Sequence, residues 1–77
     1  MTELLEFLVK ALVEDPEAVV VEELEEDGDL VYEISVAEGD LGRVIGKGGR
    51  IANAIRTIAK AASTGSDRRV LVEFIED

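Results

Sequence analysis

No cysteine, no histidine and no tryptophan occur in this sequence of 77 residues, and the aromatic side chains are limited to two phenylalanines and one tyrosine. The lack of cysteine excludes disulfide bonds and thiolate chemistry. The lack of histidine removes the commonest proton shuttle and, together with the missing cysteine, the softer ligands that transition metals prefer. We therefore expect a protein that is not an enzyme and that holds no cofactor.

Long hydrophobic runs are also missing. The most apolar N-terminal segment, residues 4–13, is interrupted by Glu6 and Lys10 and preceded by Glu3. Such a segment is neither a signal peptide nor a membrane span. We expect a cytoplasmic protein without membrane insertion, in which residues 1–77 form a single domain. A chain of this size lies near the lower limit for a self-sufficient core, so association with a partner would help it.

Carboxylates are abundant, with eighteen aspartates and glutamates in the chain. The densest group, residues 22–29, lacks the ordered ligand spacing of a calcium-binding loop. A solvated acidic surface explains this group more simply than acid–base catalysis does. We therefore predict no metal site.

The charges are unevenly distributed around a net charge of −10. Residues 1–40 hold fourteen acids and one cation, whereas residues 41–69 hold seven cations and a single acid, Asp67. Screening limits the reach of exposed charges to about 8–10 Å. A local basic face can therefore act within an acidic protein, although its long-range attraction for an anionic partner is weak.

The hydrophobic periodicity predicts a mixture of helices and strands. Spacing of three and four residues predicts a helix over residues 2–13, which ends at Asp15-Pro16. Strands are predicted at 18–24 and 30–37, joined by an Asp27-Gly28 hairpin turn. Further along, we predict a short helix at 40–45, a turn at 46–49, a helix at 50–63, a loop at 64–67 and a strand at 69–75. On the long helix, the predicted buried face comprises Ile51, Ala54, Ile55, Ile58, Ala59 and Ala62.

The most informative stretch is Leu41-Gly42-Arg43-Val44-Ile45-Gly46-Lys47-Gly48-Gly49-Arg50-Ile51. Its glycines permit backbone conformations that a side chain forbids, and they allow close approach of a ligand. The helix that begins near Arg50 directs its free N–H groups and positive dipole end toward the turn. With Arg43 and Lys47 alongside, the stretch predicts an anion-binding site.

Two other phosphate-binding motifs do not fit. A Walker loop needs four residues between its first glycine and Gly-Lys, and then serine or threonine; three residues separate Gly42 from Gly46, and Gly48 follows Lys47. A dinucleotide fingerprint that starts at Gly46 needs glycine where Ile51 stands. Nucleotide hydrolysis and redox chemistry are both disfavoured.

The run Ile45-Gly46-Lys47-Gly48-Gly49 resembles the Ile-Gly-x-x-Gly signature of the K-homology (KH) domain. Residues 42–62 are similar to the small bacterial KH proteins of the KhpA family. The resemblance implies an α+β fold of the type II KH class. In that fold the order α-β-β-α-α-β gives a three-stranded mixed sheet with three helices packed on one face.

The resemblance also implies a function. KH modules hold four nucleotides of a single strand against the glycine turn. A KhpA-like protein would bind single-stranded RNA and act as an RNA chaperone and post-transcriptional regulator, as a homodimer or with a second KH protein, KhpB. Its processes would be cell shape and cell wall biogenesis. The implied RNA-binding residues are Arg43, Val44, Ile45, Gly46, Lys47, Gly48, Gly49, Arg50 and Ile55.

Several alternatives remain open at this stage. The main alternative is a KH-fold protein-interaction module that does not bind RNA, which is consistent with the acidic half. Arg56 and Lys60 are interpreted as solvated helix exterior, and Arg68 and Arg69 as partners of nearby acids. Many KH modules carry isoleucine where this chain has Ala52, so base preference cannot be carried over. Base stacking should contribute little, because Phe7, Tyr32 and Phe74 are expected in the core.

Overall fold

A computed structural model describes residues 1–65 and 67–76. These residues form an α+β fold of two longer helices, one short helix of five residues, three strands and two short 3₁₀ turns. The elements are α1 (Thr2–Lys10), a 3₁₀ turn (Pro16–Ala18), β1 (Val20–Glu26), β2 (Asp29–Val36), α2 (Leu41–Ile45), a second 3₁₀ turn (Lys47–Gly49), α3 (Arg50–Ala62) and β3 (Val70–Glu76). The α+β class is confirmed, whereas the predicted helix count and order are confirmed only in part, because neither 3₁₀ turn was predicted. The predicted loop at 64–67 and the C-terminal end of the domain include Ser66 and Asp77, which lie outside the described residues.

Helix α1 ends at Lys10, three residues before the predicted end. Beyond Lys10 the N–H of Val13 still donates to the carbonyl of Val9 at 3.2 Å, and the two carboxylate oxygens of Asp40 then accept the backbone N–H groups of Glu14 and Asp15 at 3.2 and 3.1 Å. The bonds to Asp40 hold the chain in a non-helical path before Pro16. Proline fits the first position of the 3₁₀ turn that follows. Strand β1 consequently begins at residue 20 instead of residue 18.

The sheet has the strand order β1-β2-β3 and is mixed, as predicted. Strands β1 and β2 are antiparallel, and their hairpin turn has positive φ angles of 50° at Asp27 and 86° at Gly28. Two successive positive φ angles are what a type I′ turn requires. Strand β3 runs parallel to β2 after the helical crossover. The sequence patterns therefore predict the sheet correctly.

One face of the sheet carries the helices and the hydrophobic core. Alternate residues of β2 point to this face, because side chains in a strand alternate between faces. All the helices contribute apolar side chains to the same cluster. The buried members are Leu5, Val9, Val19, Tyr32, Ile34, Val36, Val44, Ile55, Ala59, Val70 and Val72.

The opposite face carries no helix, and a row of acids there lies between an apolar row and a row with serine at its centre. Glu33 of β2 lies directly beside Glu22 of β1 and Glu73 of β3. We call these three residues the glutamate rung. Like charges directly opposite one another on neighbouring strands destabilise a sheet. The flanking rows on this face are Leu24–Val31–Leu71 and Val20–Ser35–Ile75.

Two predictions about buried faces are wrong. Phe7 was expected in the core but is 72% exposed, because Leu5 faces the sheet and a position two residues further is rotated by about 200° around the helix. On α3 the buried residues are Ala52, Ile55 and Ala59, whereas Ile58 is 39% exposed. The apolar residues of α3 extend around more than one face, so periodicity alone could not choose the face that packs on the sheet.

Within residues 1–65 and 67–76, no helix has the length and the apolar character needed to span a membrane.

Candidate nucleic-acid interface

The glycine turn joins α2 to α3 through three unusual backbone conformations. Gly46 ends α2 with φ 75° and ψ 173°, and its N–H donates to the carbonyl of Gly42 at 2.9 Å. Gly48 and Gly49 follow in the left-handed region, with φ angles of 65° and 80°. Side chains rarely tolerate these conformations, so the glycines define the path of the turn. Helix α3 then begins at Arg50.

The three glycines have different surroundings. A β-carbon at Gly46 would lie 2.7 Å from Cγ1 of Ile51, so this position is needed for packing within the protein. A β-carbon at Gly48 would meet nothing within 4 Å, and one at Gly49 would meet only Nδ2 of Asn53, at 3.9 Å. Gly48 and Gly49 therefore leave the outer side of the turn open to a ligand.

Part of the hydrogen-bonding capacity of the turn is used internally. The N–H of Gly49 donates to the carbonyl of Gly46 at 3.2 Å, and the N–H of Arg50 donates to the carbonyl of Lys47. The expectation of bare amides is therefore too broad, since Gly46, Gly49 and Arg50 already donate. The amides of Lys47 and Gly48 are the remaining candidates to donate to an anion.

The three cations near the turn are not equivalent. Arg43 contacts two carboxylates, with Nη2 2.5 Å from Oε1 of Glu14 and Nε 3.4 Å from Oδ1 of Asp40. Lys47 and Arg50 are exposed, and in residues 1–65 and 67–76 neither forms an ion pair. The charge available to an incoming anion is therefore carried mainly by Lys47 and Arg50.

The apolar residues expected beside the turn lie mostly below the surface. Val44 is fully buried and Ile55 is 3% exposed, and both belong to the core cluster. Ile45 is partly exposed. Val44 and Ile55 therefore support the turn from beneath, and Ile45 is the apolar side chain that offers surface.

Sequence reasoning missed a polar connection between α3 and β3. Arg56, interpreted above as solvated exterior, donates from Nε to the carbonyl of Val72 at 3.2 Å and from Nη1 to Oδ1 of Asn53 at 3.3 Å. Its guanidinium carbon also lies 5.4 Å from the centre of the Phe74 ring. The only available signal was the three-residue spacing of Arg50, Asn53 and Arg56, which places them along one side of a helix.

The remaining arginines contact acids of the hairpin, as predicted. Nη1 of Arg68 lies 2.9 Å from Oε2 of Glu25, and Nη2 of Arg69 lies 2.8 Å from Oδ2 of Asp29. The hydrogen bond and the charge of Asp29 raise the pKa of the Arg69 guanidinium above its usual value. These two arginines are therefore held at the end of the sheet.

The other perturbed group is Tyr32. Burial, its hydrogen bond to Glu23 and the charge of that carboxylate raise the pKa of Tyr32 to about 12. The hydroxyl donates to Oε1 of Glu23 at 2.6 Å. Tyr32 thus remains neutral at physiological pH and has a structural part in the sheet.

The described residues enclose no pocket, and no group of acidic side chains among them is arranged to hold a metal ion. The site is an open surface that consists of a glycine turn, a helix N-terminus and exposed cations. Such a surface suits an extended anionic chain better than a small enclosed ligand.

Comparison of the sequence with known proteins places the chain in a family. The family model described as "KhpA/KhpB, KH domain" matches residues 2–74. The chain belongs to the KhpA/KhpB family of KH-domain proteins. The resemblance of residues 42–62 to the KhpA family is thus confirmed, and the match to the KhpA/KhpB model includes the whole glycine turn.

Relatives within the KhpA/KhpB family match over almost their full length. The protein named RNA-binding protein KhpA in Caldanaerobacter subterraneus is 49% identical over 75 residues, which cover 97% of this chain and 100% of the relative. The protein of the same name in Listeria monocytogenes is 49% identical over 99% of this chain and 100% of the relative. The one in Chlamydia trachomatis is 39% identical over 100% of this chain and 99% of the relative. No solved structure matches the chain.

Proposed function

We propose that this chain binds single-stranded RNA in the cytoplasm as a type II KH module. The observation that carries the proposal is the open outer side of the turn at Gly48 and Gly49, next to the exposed cations Lys47 and Arg50. A backbone phosphate can approach this surface without meeting a β-carbon. The relatives named RNA-binding protein KhpA support the same function.

The nine residues implied by the sequence have different parts in this proposal. Lys47 and Arg50 contact phosphates through their charges, and Gly48 and Gly49 allow the sugar–phosphate backbone to come close. Gly46 sets the geometry of the turn. Arg43 adds a cation that also pairs with Glu14 and Asp40. Ile45 offers apolar surface to a base, and Val44 and Ile55 pack beneath the turn.

The expected affinity is low for one domain. Two or three phosphate contacts give a salt dependence of roughly −0.7 per contact in log K against log salt, and the acidic total charge opposes long-range attraction. Pairing two modules raises the effective affinity without new contacts. The chain would therefore act as a homodimer or with a KhpB-like KH protein, as an RNA chaperone and post-transcriptional regulator. Sedimentation with and without such a partner tests this association.

A protein-interaction module is the competing function, and one observation favours it. The open face of the sheet carries the glutamate rung next to the exposed apolar side chains of Val20 and Ile75, which is a surface suited to a basic protein partner. This alternative predicts that RNA binding is absent or independent of the glycine turn.

The deciding experiment changes the turn and measures retention of single-stranded RNA by filter binding and crosslinking. The variant Lys47→Asp/Gly48→Asp reverses the local charge, and aspartate is among the residues that tolerate a left-handed conformation. Loss of a charge-assisted contact lowers affinity by about tenfold or more. The variant Lys10→Asp/Ala11→Asp makes the same change in charge on the exposed end of α1 and should retain binding. Wild-type affinity in a folded turn variant would contradict the proposal.

A further inference from the structure

The guanidinium of Arg56 lies between α3 and the outer edge of β3 in a defined position. Two hydrogen bonds, to the carbonyl of Val72 and to Oδ1 of Asn53, fix its orientation, and the ring of Phe74 supports it 5.4 Å from the ring centre. A solvated arginine on a helix exterior would have no such set of contacts. The side chain is partly buried and therefore restricted before any ligand arrives.

The carbonyl that Arg56 contacts belongs to the free edge of the sheet. The carbonyl of Arg69 accepts the N–H of Leu30, so at residue 69 the backbone groups point toward β2. Backbone groups alternate in direction along a strand, and residue 72 therefore points away from β2. Because β3 is an edge strand, the carbonyl of Val72 would otherwise be unpaired. Arg56 thus joins α3 to this edge.

The anchored guanidinium still has donors available. It carries five N–H groups, and Nε and Nη1 each use one of them here. In the part of the chain that the structure describes, Nη2 has no acceptor. The N–H groups of Nη1 and Nη2 that remain can form a planar fork for two adjacent acceptors.

Arg56 lies on the route from the turn. Arg50, Asn53 and Arg56 follow one another at three-residue intervals, and six residues of helix span roughly 9 Å. Nδ2 of Asn53 is 3.9 Å from the position of a β-carbon at Gly49. A strand whose phosphate lies at the turn can therefore place a neighbouring base at Arg56.

We propose that Arg56 selects bases that present two adjacent hydrogen-bond acceptors, namely guanine through O6 and N7 or cytosine through N3 and O2. Adenine and uracil are disfavoured, because each of their acceptors on these edges has a donor as its neighbour and the fork can then make only one bond. This inference rests on the proposed RNA binding and adds base selectivity to it. Arg56 is accordingly a specificity-determining residue, in contrast to the phosphate-contacting Lys47 and Arg50.

The test compares short oligouridine strands that carry one cytosine, one guanine or one adenine. A bidentate contact is worth about 1–3 kcal/mol of discrimination, so the wild-type protein should bind the cytosine or guanine strand about 5- to 150-fold tighter than the adenine strand. Arg56→Lys keeps the charge but removes the fork. It should abolish the preference of the protein for the cytosine and guanine strands over the adenine strand.

Controls separate this inference from the proposed function. Arg50→Lys should keep the base preference, and Arg50→Gln should weaken binding to every strand by a similar factor. Asn53→Ala removes the Nη1 contact and should reduce the preference. If the wild-type protein binds all strands equally, or if Arg56→Lys keeps the preference, the inference is overturned and the proposed RNA binding stands. If the wild-type protein binds no strand, both fall.

Discussion

Replacing Gly46 by alanine tests whether the first glycine of the turn is required by the fold. With φ 75° and ψ 173°, Gly46 occupies a region that only glycine adopts readily, where another residue costs about 1–3 kcal/mol. The new β-carbon would also lie 2.7 Å from Cγ1 and 3.0 Å from Cβ of Ile51. The closest overlap is with Cγ1, and because isoleucine is branched at Cβ its side chain has little freedom to rotate away, so the overlap costs about 1–3 kcal/mol more.

The net effect of Gly46→Ala is a loss of about 2–5 kcal/mol in the free energy of unfolding. Alanine restricts the unfolded chain and returns about 0.4–1 kcal/mol of this cost. The whole domain is expected to be stable by roughly 4–12 kcal/mol. Gly48→Ala is the matched control, because its β-carbon meets nothing within 4 Å. It keeps only the strain of a left-handed residue and should lose about 1 kcal/mol.

Urea denaturation followed by far-ultraviolet circular dichroism measures both losses, since the chain has no tryptophan to report on unfolding. Ile51→Ala removes the overlapping atoms beyond Cβ, so the double variant with Gly46→Ala should be more stable than the sum of the single changes by about 1–3 kcal/mol. Equal losses for the two glycine variants would refute the packing argument. A coupling energy near zero would do so as well.

Three further predictions concern stability. The unfolded tyrosine loses its proton near pH 10, whereas folded Tyr32 does so only near pH 12, so the free energy of unfolding should fall by on the order of 2 kcal/mol as pH rises from 10 to 12. The absorbance of the phenolate measures the titration of this single tyrosine. Urea denaturation at each pH measures the loss of stability, which should be absent from Tyr32→Phe. Glu33→Gln removes the central charge of the glutamate rung and should raise the melting temperature by a few degrees at low salt, and by less at high salt, in thermal scans. Asp40→Ala leaves the N–H groups of Glu14 and Asp15 without their carboxylate, so the free energy of unfolding measured in urea should fall by about 2–3 kcal/mol. An unchanged urea midpoint would show that water replaces the carboxylate.

The sequence predicts those parts of the fold that depend on neighbouring residues. Asp27-Gly28 predicts the hairpin, alternation along 30–37 predicts the buried face of β2, and the glycines at 46–49 predict the turn. Each of these signals is local, because the backbone angles or side-chain directions follow from residues a few positions apart. The open surface at Gly48 and Gly49 was predictable for the same reason.

Features that depend on distant residues could not be predicted. The segment after α1 is held by Asp40, which lies 25 residues beyond Asp15 and accepts the N–H of Asp15. Arg56 is positioned by Val72, and the side of Arg56 that faces β3 is decided only when α3 packs on the sheet. The charge of Arg43 is reduced by Glu14, which the linear charge count assigns to another region. Tertiary contacts thus determine the path of the chain after α1 and the effective charge of the site.

The glutamate rung gives dissolved ions opposite effects on the two sides of this small protein. Counterions that gather along Glu22, Glu33 and Glu73 relieve repulsion between the strands and should tighten the sheet. In the proposed RNA binding, the same ions would compete with Lys47 and Arg50 for the phosphates and weaken the contact. A buffer of high ionic strength that stabilises the sheet should therefore weaken the proposed RNA binding. The acidic face should also repel nucleic acid, which would favour binding of a strand on the side with the helices.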